Sequence, residues 1–248
     1  TTDVQWRDET ARIDRLADSL SMAILRELGR TRAIGATRLA SLGSSSLPAL
    51  KAYLQGEQSY RRSDWDSAAY HYQRAVSLDS TFAPAWRHLS NAMGWRLTPQ
   101  LELSNEGYQY ALRAGALNRG LTPRESLLVA ADSIFAALQL SDFKQPAGPR
   151  TALVRRVTTL LDDGVRRFPD DPEGYFRLAG VLMREGKTEE MLATYERLLS
   201  LDPNQATAYN ALGYHYIGRR NFVKGEDYLK RYRFLAPDQA NPYDSLGE

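Results

Sequence analysis

Residues 203–213 read Pro203-Asn-Gln-Ala-Thr-Ala-Tyr209-Asn-Ala-Leu212-Gly213, and 34 residues earlier the chain reads Pro169-Asp-Asp-Pro-Glu-Gly-Tyr175-Phe-Arg-Leu178-Ala179. The same step forward reaches Pro237, Tyr243, Leu246 and Gly247. Four columns share one period. That length fits two helices of about 13 to 15 residues joined by two short turns. Antiparallel helices cross closely only where side chains are small, aromatics fill the space beside the crossing, and proline ends the second helix.

The pattern aromatic-x-x-Leu-small at this period resembles the tetratricopeptide repeat. The resemblance implies an all-α, right-handed α-solenoid of helix pairs. Its register sets repeats at about 49–82, 83–121, 122–171, 172–205 and 206–239, with 240–248 opening a further one. In the first repeat Gly56 and Ala68 take small positions and Trp65 and Tyr72 bulky ones, and Ala75-Val-Ser-Leu-Asp-Ser80 closes it with serine in place of proline. Trp86, Leu89 and Ser90 open the second, whose second helix holds Tyr108, Ala111 and Ala114. With Ala75, Ala114, Gly164, Leu198 and Tyr232 equivalent, the steps are 39, 50, 34 and 34, so about 5 and 16 residues are inserted into the second and third units. Gly94–Pro99 and a loop over 141–149 are the expected places for them. Thr122-Pro-Arg-Glu125 is a capping box with proline at the first helical position, which predicts a helix from there to about Leu140. Leu198 and Tyr232 stand in a column that is usually alanine in the family, and Gly225 is the expected compensation.

Residues 1–47 lack the repeat, but Ile13, Leu16, Ala17, Leu20, Ile24 and Leu28 share one helical face. A helix over about 9–29 is expected as an N-terminal extension that caps the array. Gly43-Ser-Ser-Ser46 then breaks the chain before Pro48 opens the array over 48–248. At the other end Asn241-Pro-Tyr-Asp-Ser-Leu-Gly-Glu248 starts a first helix without a second, so the parent protein is expected to continue. The opening at Thr1, without methionine, fits a processed or excised piece.

Composition narrows the function classes. At 43% hydrophobic and 25% charged over 248 residues, the chain has the means to build a core and is neither fibrous nor disordered. A net charge of +2 makes nucleic acid an unexpected partner. No apolar run approaches the roughly 20 residues that span a bilayer, so no direct membrane insertion is expected. The chain has no cysteine, hence no disulfide, no thiolate metal site and no thiol nucleophile. His71, His88 and His215 stand alone, without a His-Glu-x-x-His pair, and the phosphate-loop, dinucleotide and Gly-x-Ser-x-Gly patterns are missing. Asp162-Asp163 to Asp170-Asp171-Glu173 reads as a solvated turn rather than a calcium loop, because it lacks the ligand spacing and central glycine. No catalytic residue, metal or cofactor is therefore assigned, and an enzyme is not expected.

Binding is the expected activity, since stacked helix pairs leave their first helices lining a concave groove. Repeat places 5, 9, 12 and 13 select Tyr53, Glu57, Tyr60 and Arg61, then Arg87, Asn91, Gly94 and Trp95. Later repeats give Phe176, Gly180, Met183 and Arg184, then Asn210, Tyr214, Ile217 and Gly218. Aromatic, Met and Arg side chains dominate this set, as they do at protein interfaces. Tyr53, Phe176 and Tyr214 have the alternative of packing between adjacent units. Within the resemblance, Arg87 and Asn91 match, at one repeat, the basic and amide places of the carboxylate clamp by which some tetratricopeptide proteins hold a peptide C-terminus, and the other basic places do not match.

Ser46-Leu-Pro-Ala-Leu-Lys-Ala-Tyr-Leu-Gln-Gly-Glu57, Leu78-Asp-Ser-Thr-Phe-Ala83, Gly94-Trp95 and Arg113-Ala-Gly-Ala-Leu-Asn-Arg-Gly-Leu121 further resemble the C-terminal repeat regions of bacterial membrane-bound serine/threonine protein kinases and related regulators. That likeness implies a sensing or docking module, on the periplasmic side if an upstream membrane helix tethers it and cytoplasmic otherwise. The expected function is capture of a peptide or protein segment in the groove. Self-association through the array ends and small-molecule sensing are the alternatives.

Overall fold

A computed structural model describes residues 43–95, 105–141 and 147–236. These hold ten helices and no strand: α1 Leu47–Arg61, α2 Trp65–Leu78, α3 Ala83–Trp95, α4 Asn105–Ala116, α5 Pro123–Leu140, α6 Ala147–Arg167, α7 Pro172–Arg184, α8 Thr188–Leu201, α9 Ala206–Gly218 and α10 Phe222–Leu235. The expected helix at 9–29, most of the first inserted turn and the repeat opening at 240–248 lie outside the described residues. Two units divide within α5, at Ala136. In the first, α1 packs on α2, α2 on α3 and α3 on α4, while in the second α6 packs on α7, α7 on α8 and α9 on α10.

Three of the turns inside the hairpins are copies of one another. After α1, Asp64 N donates to Ser59 O at 3.0 Å and Ser63 N to Tyr60 O at 3.0 Å. After α7, Lys187 N donates to Leu182 O and Gly186 N to Met183 O, and after α9 Asn221 N donates to Tyr216 O and Arg220 N to Ile217 O. This pair of bonds satisfies the last carbonyls of a helix and forces one residue into the left-handed region. That residue is Ser63 at φ 59°, Gly186 at 72° and Arg220 at 60°, three members of one repeat column. Two of the second helices then start on side-chain caps, Asp64 accepting from Ser67 N and Asn221 from Lys224 N, while α8 starts after Lys187 without one.

Small residues sit at the crossings. A Cβ added at Gly56 of α1 would stand 2.5 Å from the Tyr72 ring of α2, and one at Gly225 of α10 would stand 2.6 Å from Ile217 Cγ1 of α9. Gly225 therefore makes room for Ile217, while Leu198 and Tyr232, the bulky residues of the alanine column, are fully enclosed. The first core joins Ala49, Ala52, Ala68, Tyr72, Ala75, Phe82, Ala85 and Leu89.

α5 begins at Pro123, with Thr122 Oγ1 accepting from Glu125 N. The loop expected over 141–149 is shorter than its prolines suggest, because α6 already starts at Ala147. Pro149 lies in its first turn, where a helix has no use for the missing N–H.

Candidate functional site

On α1 and α3 the groove columns hold a polar chain inside an aromatic cluster. Tyr53 is half-buried, its ring centroid 5.0 Å from Phe82, 5.4 Å from His88 and 5.8 Å from Tyr72. Tyr60 meets Trp65 edge-on at 5.1 Å, and Trp95 stacks on Trp65 at 5.5 Å. Glu57 accepts from the Tyr72 hydroxyl at 2.6 Å and lies 2.6 Å from His88 Nδ1. Burial, reinforced by the Glu57 carboxylate, pushes the Tyr72 hydroxyl well above its ordinary range. His88 Nε2 lies 2.6 Å from Arg87 Nη2. Arginine only donates, so Nε2 accepts, and the ring carries its proton on Nδ1 and gives it to Glu57.

Arg87 is fully enclosed, at 0% exposure. Its Nη1 lies 3.4 Å from Asp132 Oδ2 and its Nη2 3.7 Å from Glu125 Oε2, both carboxylates on α5. Sequence places Arg87 in the groove as a partner for acids of a ligand, whereas the structure supplies those acids from the chain itself. The isolated-looking His88 belongs to the same network. Glu125 and Asp132, seven residues apart and thus on one face of α5, were the signal for it. Their role stayed hidden because the inserted residues obscure the register of the third repeat. Of the remaining positions here, Asn91 is half-buried and Arg61 exposed.

On α7 the columns behave differently. Phe176, Gly180, Met183 and Arg184 share a face by helical spacing. Phe176 is half-buried, its ring edge-on to Tyr195 at 6.4 Å, while Met183 and Arg184 are exposed, Met183 by 42%. A Cβ at Gly180 would meet nothing within 4 Å, which leaves a notch between Phe176 and Met183. On α9 the same columns give Asn210, Tyr214 and Ile217. Tyr214 is 42% exposed, Ile217 packs toward Gly225, and Asn210 is buried with no hydrogen-bond partner for its Oδ1 among the described residues. An Arg219 Nη2 to Thr188 Oγ1 bond of 2.6 Å ties the α9–α10 hairpin to α8.

A recess of about 430 Å³ lies elsewhere, lined by Ser44, Asp79, Thr81, Leu117 and Arg119 among others, and includes no groove residue. Asp79 spends its oxygens on Ser44 Oγ at 2.5 Å and Thr81 Oγ1 at 2.6 Å. Burial alone would raise its carboxyl, but these bonds and that from Thr81 N outweigh burial and hold it below its ordinary value.

Residues 172–215, spanning α7, α8 and most of α9, match the family model of the tetratricopeptide repeat. Among solved structures the chain is similar to TTC0263, a thermophilic TPR protein of Thermus thermophilus, at 16% identity and a TM-score of 0.58, over 80% of this chain and 97% of that one. It is also similar to YrrB, described as a TPR protein with an unusual peptide-binding site, at 18% identity and a TM-score of 0.41, over 81% and 92%. MamA gives 16% and 0.39, over 75% and 96%. No curated protein matches the chain. The helix hairpins described above and the first of these structures show an all-α solenoid fold, and the family model marks residues 172–215 as its tetratricopeptide part.

Proposed function

We propose that this chain is a non-enzymatic docking module that receives a segment of another protein on the first helices of its later repeats. Tetratricopeptide repeats serve in general as protein-interaction modules, which supports the class. The observation that carries the location is the notch at Gly180, flanked on α7 by half-buried Phe176 and exposed Met183. A mid-helix glycine costs about 1 kcal/mol relative to alanine, and here no neighbour requires it. An apolar side chain of the partner fits the space, with Met183 as a wall. On α9, Tyr214 presents an aromatic contact, and the Asn210 amide, turned toward a peptide N–H, would gain the bond its Oδ1 lacks.

The likeness of 46–57 and 113–121 to kinase-associated repeat regions supports a place in bacterial signalling, tethered on the periplasmic side. Fluorescence anisotropy with peptides selected by display tests the docking site. Gly180→Trp and Tyr214→Ala should each weaken binding by about tenfold or more while keeping the melting temperature, as anchor residues do. Equal binding by wild type and both variants would refute the location. Concentration-dependent assembly unaffected by Gly180→Trp would favour self-association through the array ends instead.

A further inference from the structure

α10 exposes three apolar side chains, Phe222 at its first position by 62% and two more that stand farther round the helix. Val223 is 75% exposed and Phe234 72%, on the side of the helix opposite its buried residues Gly225, Leu229 and Tyr232. The repeat itself provides the comparison. One and four hairpins earlier in the same register, the equivalents of Val223 are Glu189 and Asp66, and those of Phe234 are Ser200 and Ser77. All four are exposed, although a further hairpin follows each of their helices. The next helix of a solenoid therefore does not cover these columns, and a continuation of the array would leave Val223 and Phe234 in water.

The charge around them changes too. Residues 219–234 hold six basic side chains (Arg219, Arg220, Lys224, Lys230, Arg231, Arg233) against Glu226 and Asp227, all exposed. The same stretch one repeat earlier, 185–200, holds two basic and four acidic residues. Lys230 pairs with Glu226 at 2.8 Å, and the Arg231 guanidinium lies over the Phe234 ring at 5.1 Å, so a cation is held beside the apolar peg.

We propose that the outer face of α10 is a peripheral contact for an anionic lipid surface. Val223 and Phe234 stand eleven residues apart, about 16 Å along the axis, on an exposed helix ridge. A ridge with two separated pegs flanked by Lys230 and Arg231 matches a fluid plane, where side chains enter the acyl boundary while arginine and lysine meet phosphates. The contact is not a span: among the described residues no helix is long and apolar enough to cross a membrane. Asp227, on the same face between the pegs, opposes the contact and offers a gain-of-function test.

Co-sedimentation of the whole chain with vesicles decides the matter, comparing phosphatidylcholine alone with vesicles containing about a third phosphatidylglycerol at low salt. Wild type should sediment only with the anionic vesicles. Val223→Ser/Phe234→Ser should bind about tenfold less with unchanged circular dichroism, and Asp227→Lys should bind more. Absence of wild-type binding, or equal binding by the serine variant, overturns the proposal. So does a dimer that the serine variant loses without any vesicle binding, which would assign the face to a second copy. Binding of soluble polyglutamate that needs both pegs, with no vesicle binding, would assign it to an acidic protein.

Discussion

Gly213 of α9 and Gly225 of α10 mark the point where two backbones nearly touch: a Cβ on Gly213 would lie 3.4 Å from the Gly225 carbonyl oxygen, and one on Gly225 3.2 Å from that of Gly213. The Leu229 side chain closes the space further, 2.6 Å from the Gly213 position. Gly213→Leu should therefore destabilise by about 1 to 3 kcal/mol, the usual cost of overpacking. Urea unfolding measures it, and an unshifted midpoint would contradict this crossing.

Gly180 is the opposite case, a helical glycine with open space before it. Gly180→Ala should stabilise by about 0.5 to 1 kcal/mol through helix propensity alone. Thermal unfolding would show a higher midpoint, and a lower one would mean that the notch is filled.

Arg220 adopts the left-handed conformation that Gly186 adopts in the preceding repeat. A side chain there costs about 1 to 2 kcal/mol, partly offset by the greater freedom glycine loses on folding. Arg220→Gly is expected to raise stability by about 0.5 to 1 kcal/mol in denaturant titrations, whereas Arg220→Ala should gain nothing.

Arg87 is a folding residue before it is anything else. Arg87→Ala leaves Asp132 and Glu125 on α5 without their guanidinium and should cost about 3 kcal/mol. Asp132→Ala should lose part of the same energy, and the double variant less than the sum, because the two act as one unit. Additive losses in a double-mutant cycle would show that the pair is not coupled.

The Asp79 carboxyl, held low by Ser44 and Thr81, should leave a signature in acid. Its folded value lies below its unfolded one, so its stabilisation is present above the unfolded value and is lost as pH falls through the folded value. Ser44→Ala should lower the melting temperature near neutral pH, and the difference from wild type should shrink as pH falls through the folded value, leaving the part that comes from the lost bond to Ser46 N. A constant difference across that range would exclude this carboxylate as the cause.

Much of the fold was legible in one column of spacing. The 34-residue step through Tyr175 and Tyr209 implies helix pairs, and the small residues at Gly213 and Gly225 imply close crossings, because local propensity and packing ask for the same residues there. The inserted third repeat was harder. Its loop was read too long from Pro146 and Pro149, since proline breaks a helix interior but is welcome in a first turn. The groove was legible as a set of columns, yet burial sorted its members. Spacing assigns Arg87 and Met183 to one surface, while tertiary structure encloses the first and exposes the second. The reason is physical: whether a charge meets solvent depends on the acids that another helix brings to it, and Glu125 and Asp132 reach Arg87 from 38 and 45 residues away. Periodicity determines which face a side chain shares, and only packing between distant segments decides what covers that face.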